Sequence, residues 1–157
     1  MPGVRLPPSL LRLVTLPMSQ RAVPMLSYED VAAAADWLGS AFGFREVGTR
    51  FTDDEGRVTQ VEVERRGASV MLGWPGEDYR NPRHHRSTCN DAARWLDTPW
   101  VVDGVYVTVE DLDEHHARAV DAGARIIRGP EEVPIGRLYT AEDLEGHRWM
   151  FMQPTTG

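Results

Sequence analysis

The sequence predicts an α+β fold: two βαβββ modules forming a cupped, mixed sheet with the helices packed on the outside. Two observations carry this. The chain repeats itself, since Tyr28-Glu-Asp-Val31 returns as Val109-Glu-Asp-Leu112 at an offset of 81, Gly43 and Gly123 differ by 80, Gly56-Arg57 and Gly136-Arg137 by 80, and Gly67 and Gly146 by 79. A recurring period of this kind marks a duplicated supersecondary unit. The closing stretch then shows what a unit ends in. Arg137–Thr140 and His147–Gln153 are strand-like runs pinched at Asp143-Leu-Glu-Gly146, and a glycine among acids between such runs is a hairpin signal.

Taken in order, residues 1–20 read as an N-terminal arm predicted to be disordered. The apolar run Leu10–Leu16 is interrupted by Arg12, has no small-residue cleavage site after it, and falls short of the ~20 residues of a membrane span. The first module covers 21–75. Ala22–Tyr28 predicts a strand, Asp30 a helix cap, and Val31, Ala34, Ala35, Leu38 and Phe42 a helical stripe that Gly43 ends. Phe44–Phe51 and Val58–Glu64 predict strands joined at Asp53-Asp-Glu-Gly56, and Ala68–Trp74 predicts a more apolar one. Residues 76–100 read as an irregular linker with one helical turn at Asn90–Leu96. The second module, 101–153, starts with a strand over Val101–Val109. Asp111 with Glu114 resembles a capping box for a helix ending at Gly123, and a strand over Ala124–Val133 leads into the hairpin. A tail, 154–157, follows.

Composition narrows the function. One globular unit with a sizeable core is expected of 157 residues at 41% apolar content. A net charge of −7 speaks against sequence-independent binding to nucleic acid or an anionic membrane. All 17 basic residues are arginine, which removes Schiff-base lysine chemistry and a Walker-type phosphate lysine. Cys89 is the only cysteine, so neither a disulfide framework nor a thiolate zinc site is expected, and a reduced, cytoplasmic setting follows.

Val109-Glu-Asp-Leu112, Asp121-Ala-Gly-Ala124 and Tyr139-Thr-Ala-Glu-Asp-Leu-Glu-Gly-His-Arg-Trp149, set in two βαβββ units, resemble the vicinal oxygen chelate superfamily: glyoxalase I, extradiol dioxygenases, fosfomycin-modifying enzymes and bleomycin-resistance proteins. The resemblance spans about Arg21–Gln153, with Leu144 where the family turn usually has proline. It implies a cup that holds metal and substrate, and a homodimer with modules of two chains around each cup. It also implies metal ligands at Val23, Gly104, Met71 and Met150, none of which supplies a ligand for a divalent ion. No metal site and no cofactor are therefore predicted.

The same alignment assigns faces, because successive strand residues alternate. Val23, Met25, Ser27, Ser69, Met71, Gly73, Tyr106, Thr108, Arg148, Met150 and Met152 are predicted to face the cup. Leu26, Val70, Leu72, Val105, Val107, Trp149 and Phe151 are predicted to face the core. The ligand-binding candidates are Met25, Met71, Tyr106, Thr108, Arg148, Met150 and Met152, with Trp74, Trp100, Arg137 and Tyr139 as outer candidates; the parity of Arg137 and Tyr139 is open because a bulge could precede them. Thioethers adapt to varied apolar and aromatic guests. His84 and His85 read as part of a solvated basic loop, and no catalytic residue is assigned.

The expected function is binding, or sequestration, of a small, partly apolar molecule, with the acidic balance suiting a cationic or amphipathic guest. Two alternatives stay open: a lyase, isomerase or dioxygenase of the same superfamily with a metal site relocated to residues such as His84, His85 and Asp103, and a ligand-free scaffold or regulatory protein.

Overall fold

The computed structural model describes residues 21–97 and 104–156. The first module comprises β1 (Met25–Ser27), α1 (Val31–Phe42), β2 (Arg45–Thr52), β3 (Val58–Arg65) and β4 (Ala68–Gly73). Helices α2 (Pro82–Thr88) and α3 (Asn90–Leu96) connect it to β5 (Gly104–Thr108), α4 (Leu112–Asp121), β6 (Arg125–Val133), β7 (Gly136–Glu142) and β8 (Arg148–Pro154). The repeat becomes two four-stranded sheets of one topology, β1-β4-β3-β2 and β5-β8-β7-β6. In each, the first strand lies parallel to the last and the others are antiparallel. Register shifts interrupt β2/β3 after Val47 and β6/β7 after Ile126, the same place in both copies. Bulges of this kind bend and twist a strand pair.

Local chemistry sets the helix ends. Asp30 accepts from the Ala33 amide at 2.9 Å and Asp111 from the Glu114 amide at 3.0 Å. Each cap satisfies an amide that has no partner within its helix. Gly43 ends α1 at φ 76°, and a Cβ there would come within 2.7 Å of Arg118 Nη1, so both conformation and space select glycine.

The stripe Val31, Ala34, Leu38 and Phe42 is buried, and one continuous core joins it to Val61, Val63, Val70 and Leu72 of the first sheet and Val105, Val107, Trp149 and Phe151 of the second. Phe42 is the bridge, with ring centroids 5.4 Å from Trp149 and 4.7 Å from Phe151. Trp37 Nε1 donates to the Ala122 carbonyl at 2.9 Å, fastening α1 to the end of α4. The residues assigned inward by alternation thus occupy the core, with Leu26 packed against its margin.

Two local expectations need correction. The first strand is only three residues long. The linker is helical over both Pro82–Thr88 and Asn90–Leu96, so His84 and His85 lie on a helix. The Asn81 side chain accepts from the His84 amide at 2.7 Å and Pro82 occupies the first turn, where its missing N–H costs nothing. No apolar stripe announces α2, which has no fully buried side chain.

Candidate ligand cup

In each sheet the face opposite the core is the one that the sequence assigns to the cup, and residues directly opposite one another share it. On the first sheet the rows are Met25–Met71–Glu62–Val47 and Ser27–Gly73–Gln60–Phe51. On the second they are Gly104–Arg148–Glu142–Arg125, Tyr106–Met150–Thr140–Arg128 and Thr108–Met152–Leu138.

These rows bring the sequence-predicted residues into two groups that differ in accessibility. Met25 is 72% exposed, and the sulfur of neighbouring Met71 lies 3.1 Å from Gln60 Nε2. Tyr106, 53% exposed, and Thr108 line an open cleft of about 400 Å³ along β5 with Arg65, Arg66 and Glu110. Tyr106 also borders a cleft of about 280 Å³ that Val23 and Ser69 reach from the first module. Met150 is half-buried, whereas Met152 at 2% and Arg148 at 3% are closed off from solvent.

The outer candidates fall elsewhere. Tyr139 belongs to the core, its hydroxyl 2.6 Å from His115 Nδ1, and Arg137, of the same parity, pairs with Asp113 of α4 at 3.0 Å. The bulges lie in β6, so β7 keeps its alternation and both residues face away from the cup. Trp74 packs on the core margin under the Arg57 guanidinium, 4.0 Å from the ring centre. Trp100 lies outside the described residues.

Several polar groups at the cup escaped sequence reasoning. Glu142, 1% exposed, accepts from Arg86 Nη2 at 2.9 Å through both oxygens and from Arg125 Nη1 at 3.1 Å, with Arg148 Nη2 at 3.5 Å. Burial holds the Arg148 guanidinium below its ordinary value; Glu142 opposes this, and Arg86 and Arg125 add to it. Arg86 thereby seats α2 at the Glu142 end of the second face. Strand alternation would have placed Glu142 beside Arg148, but nothing local points to Arg86, 56 residues away.

The hairpin turn holds the modules together. Asp143 Oδ2 accepts from Tyr28 OH at 2.6 Å and Trp149 Nε1 at 3.0 Å, while Oδ1 accepts from the Glu145 and His147 amides at 3.0 Å each. Glu145 accepts from the Glu29 and Asp30 amides at 2.7 and 3.0 Å and from Asn81 Nδ2 at 2.9 Å. His147 Nε2 donates to the Ser27 carbonyl at 2.6 Å and its ring meets Tyr28 edge-on. These groups hold the two modules together.

At the positions where the resemblance implies metal ligands the chain carries Val23, Met71, Gly104 and Met150, and a Cβ at Gly104 would lie 3.1 Å from the Arg148 carbonyl. Among the described residues no three His, Cys, Asp or Glu side chains converge to hold an ion. His84 Nδ1 is 3.2 Å from Glu29, and Asp103 lies outside the described residues.

Among the described residues no helix is long and apolar enough to cross a membrane. An uncharacterized protein of Mycobacterium bovis, Mb0911c, is 29% identical over 136 residues, covering 83% of this chain and 81% of that protein. Of solved structures, TioX from Micromonospora sp. ML1 matches with a TM-score of 0.61 and 32% identity over 88% of this chain and 98% of its own. TnmS3, an antibiotic binding protein from Streptomyces sp. CB03234, shares the fold with a TM-score of 0.58 and 21% identity over 88% and 99% of the two chains. So does the fosfomycin resistance protein FosX of Listeria monocytogenes in complex with Mn(II), with a TM-score of 0.57 and 13% identity over 88% and 92%. The model of the Glyoxalase/Bleomycin resistance protein/Dioxygenase superfamily matches residues 22–151. This chain is a member of that superfamily.

Proposed function

We propose that the protein binds a small, partly apolar molecule in a cup lined by the sheet faces opposite its core, and does so without the family's metal. The observation that supports this reading is the residue set at the positions where the resemblance implies metal ligands: Val23, Met71, Gly104 and Met150 offer no ligand for a divalent ion, and two of them are thioethers. Met25, Met71, Met150 and Tyr106 supply adaptable apolar contact, and Thr108 and Gln60 supply polar contact. That the same fold carries an antibiotic binding protein in TnmS3 supports sequestration as a use for such a surface. Closure of the cup by a second copy is part of the proposal, because the first of these faces is open in one chain, with Met25 and Phe51 among its exposed large apolar residues.

The test uses Nile red, an uncharged apolar dye, followed by fluorescence on protein purified without chelator and assayed for metal. We expect saturable binding to metal-poor protein, weakened at least ~10-fold in the Met71→Glu/Met150→Glu double variant, which buries charge in the site. Stoichiometric divalent metal in the wild-type protein, or unaltered dye binding in the double variant, would refute the reading.

A further inference from the structure

The chain is acidic overall, with a net charge of −7, and that balance alone favours a cationic guest. Local charge on the cup face of the second sheet has the opposite sign. Arg86, Arg125 and Arg148 all converge on the single carboxylate of Glu142, while Arg128, next along β6, is paired with Glu131. A carboxylate offers about four lone-pair sites, whereas each guanidinium carries five N–H donors in a rigid fork. Arg86 and Arg125 alone therefore bring more donors than Glu142, the acceptor they share among the described residues, can take. Arg86 Nε is buried and, among the described residues, has no hydrogen-bond acceptor. The corner is reachable from one side, since the Arg125 side chain is 50% exposed while Glu142 beneath it is 1% exposed. Thr140 and Met150 continue the same face from this corner toward Tyr106.

We propose that this corner recognises an oxyanion on the guest, a carboxylate, phosphate or sulfonate, held by Arg125 and Arg86 beside Glu142. This rests on the cup being the binding site, and it makes the guest an amphipathic anion whose apolar part lies along Met150 and Tyr106. A pair of oxygens on such a group matches the guanidinium fork in spacing as well as charge.

The test titrates 8-anilinonaphthalene-1-sulfonate, an anionic aromatic dye, beside uncharged Nile red. Wild type, Arg125→Gln and Arg137→Gln are compared, the last removing the same charge from the opposite face of the sheet. The expected result is a ~10-fold loss of sulfonate affinity in Arg125→Gln alone, in line with charge-assisted hydrogen bonds, with Nile red unaffected. Independently of any variant, wild-type affinity for the sulfonate should fall with added salt while that for Nile red does not. Salt-independent sulfonate binding, or equal losses in Arg125→Gln and Arg137→Gln, would overturn the oxyanion site. Nile red binding that survives either result leaves the cup itself standing, whereas loss of both dyes from wild-type protein removes cup and corner together.

Discussion

Two of the inter-module joints occupy equivalent places in the repeat and are built from opposite chemistry. At one, the β7–β8 turn reaches the first module with buried carboxylates: Asp143 on Tyr28, and Glu145 on the backbone amides that open α1. At the other, the β3–β4 turn presents Arg66 to Glu110 ahead of α4, an ion pair whose side chains are 64% and 78% exposed. The turns hold the same place in the repeat but differ in length, Arg66-Gly67 against Asp143–His147, and only the longer one is drawn into the interior. A buried carboxylate is fixed by geometry, because each donor it loses is stranded away from water. An exposed ion pair is held weakly and can exchange partners.

Removing the buried joint should therefore do the most damage. Asp143→Ala strands the Tyr28 hydroxyl, the Trp149 indole N–H and two amides, and should lower unfolding free energy by about 3–5 kcal/mol in urea titration. A loss under about 1 kcal/mol would mean that water replaces the carboxylate and the contrast between the joints is false.

Between the joints lies His115, which accepts from Tyr139 OH through Nδ1 and donates from Nε2 to the Phe42 carbonyl at 3.1 Å. Its pKa is pushed down from 6.5 to about 4, chiefly by burial, with the Phe42 hydrogen bond acting the other way. A depressed histidine favours the neutral form in the folded state, so the unfolded chain binds more protons between those values. Its contribution is complete above pH 6.5 and is lost as pH falls toward 4. Denaturation at pH 7 and 4.5 should show His115→Gln losing about 1–2 kcal/mol less than wild type across that interval. Parallel losses would place proton uptake elsewhere.

The smallest effect belongs to the exposed joint. Arg66→Ala should change stability by no more than about 0.5 kcal/mol, a change that vanishes in high salt. A larger, salt-resistant loss would show that the two joints are alike after all.

Much of this architecture was legible in the residues. The repeat offsets and the alternation of Val105, Val107, Trp149 and Phe151 against Tyr106, Arg148, Met150 and Met152 specified two βαβββ modules and the sides of their strands, though as one cupped sheet where the structure has two. What local pattern could not supply was long-range polar chemistry. Asp143 reads as a turn residue, and its bond to Tyr28 spans 115 positions. Helix α2, rich in Arg and His and without an apolar stripe, is specified by its Asn81 cap and by Arg83 and Arg86 reaching into the second module. The parity of Tyr139 became clear only once the bulges were located in the neighbouring strand.

The seating of that linker has a kinetic consequence. Its Asn81 end is bonded to Glu29 and Glu145 and its middle to Glu142. Along α3, Ala92 and Leu96 are buried and Arg94 pairs within the helix with Asp91. The amides of α2 would therefore exchange with solvent only as contacts to both modules break.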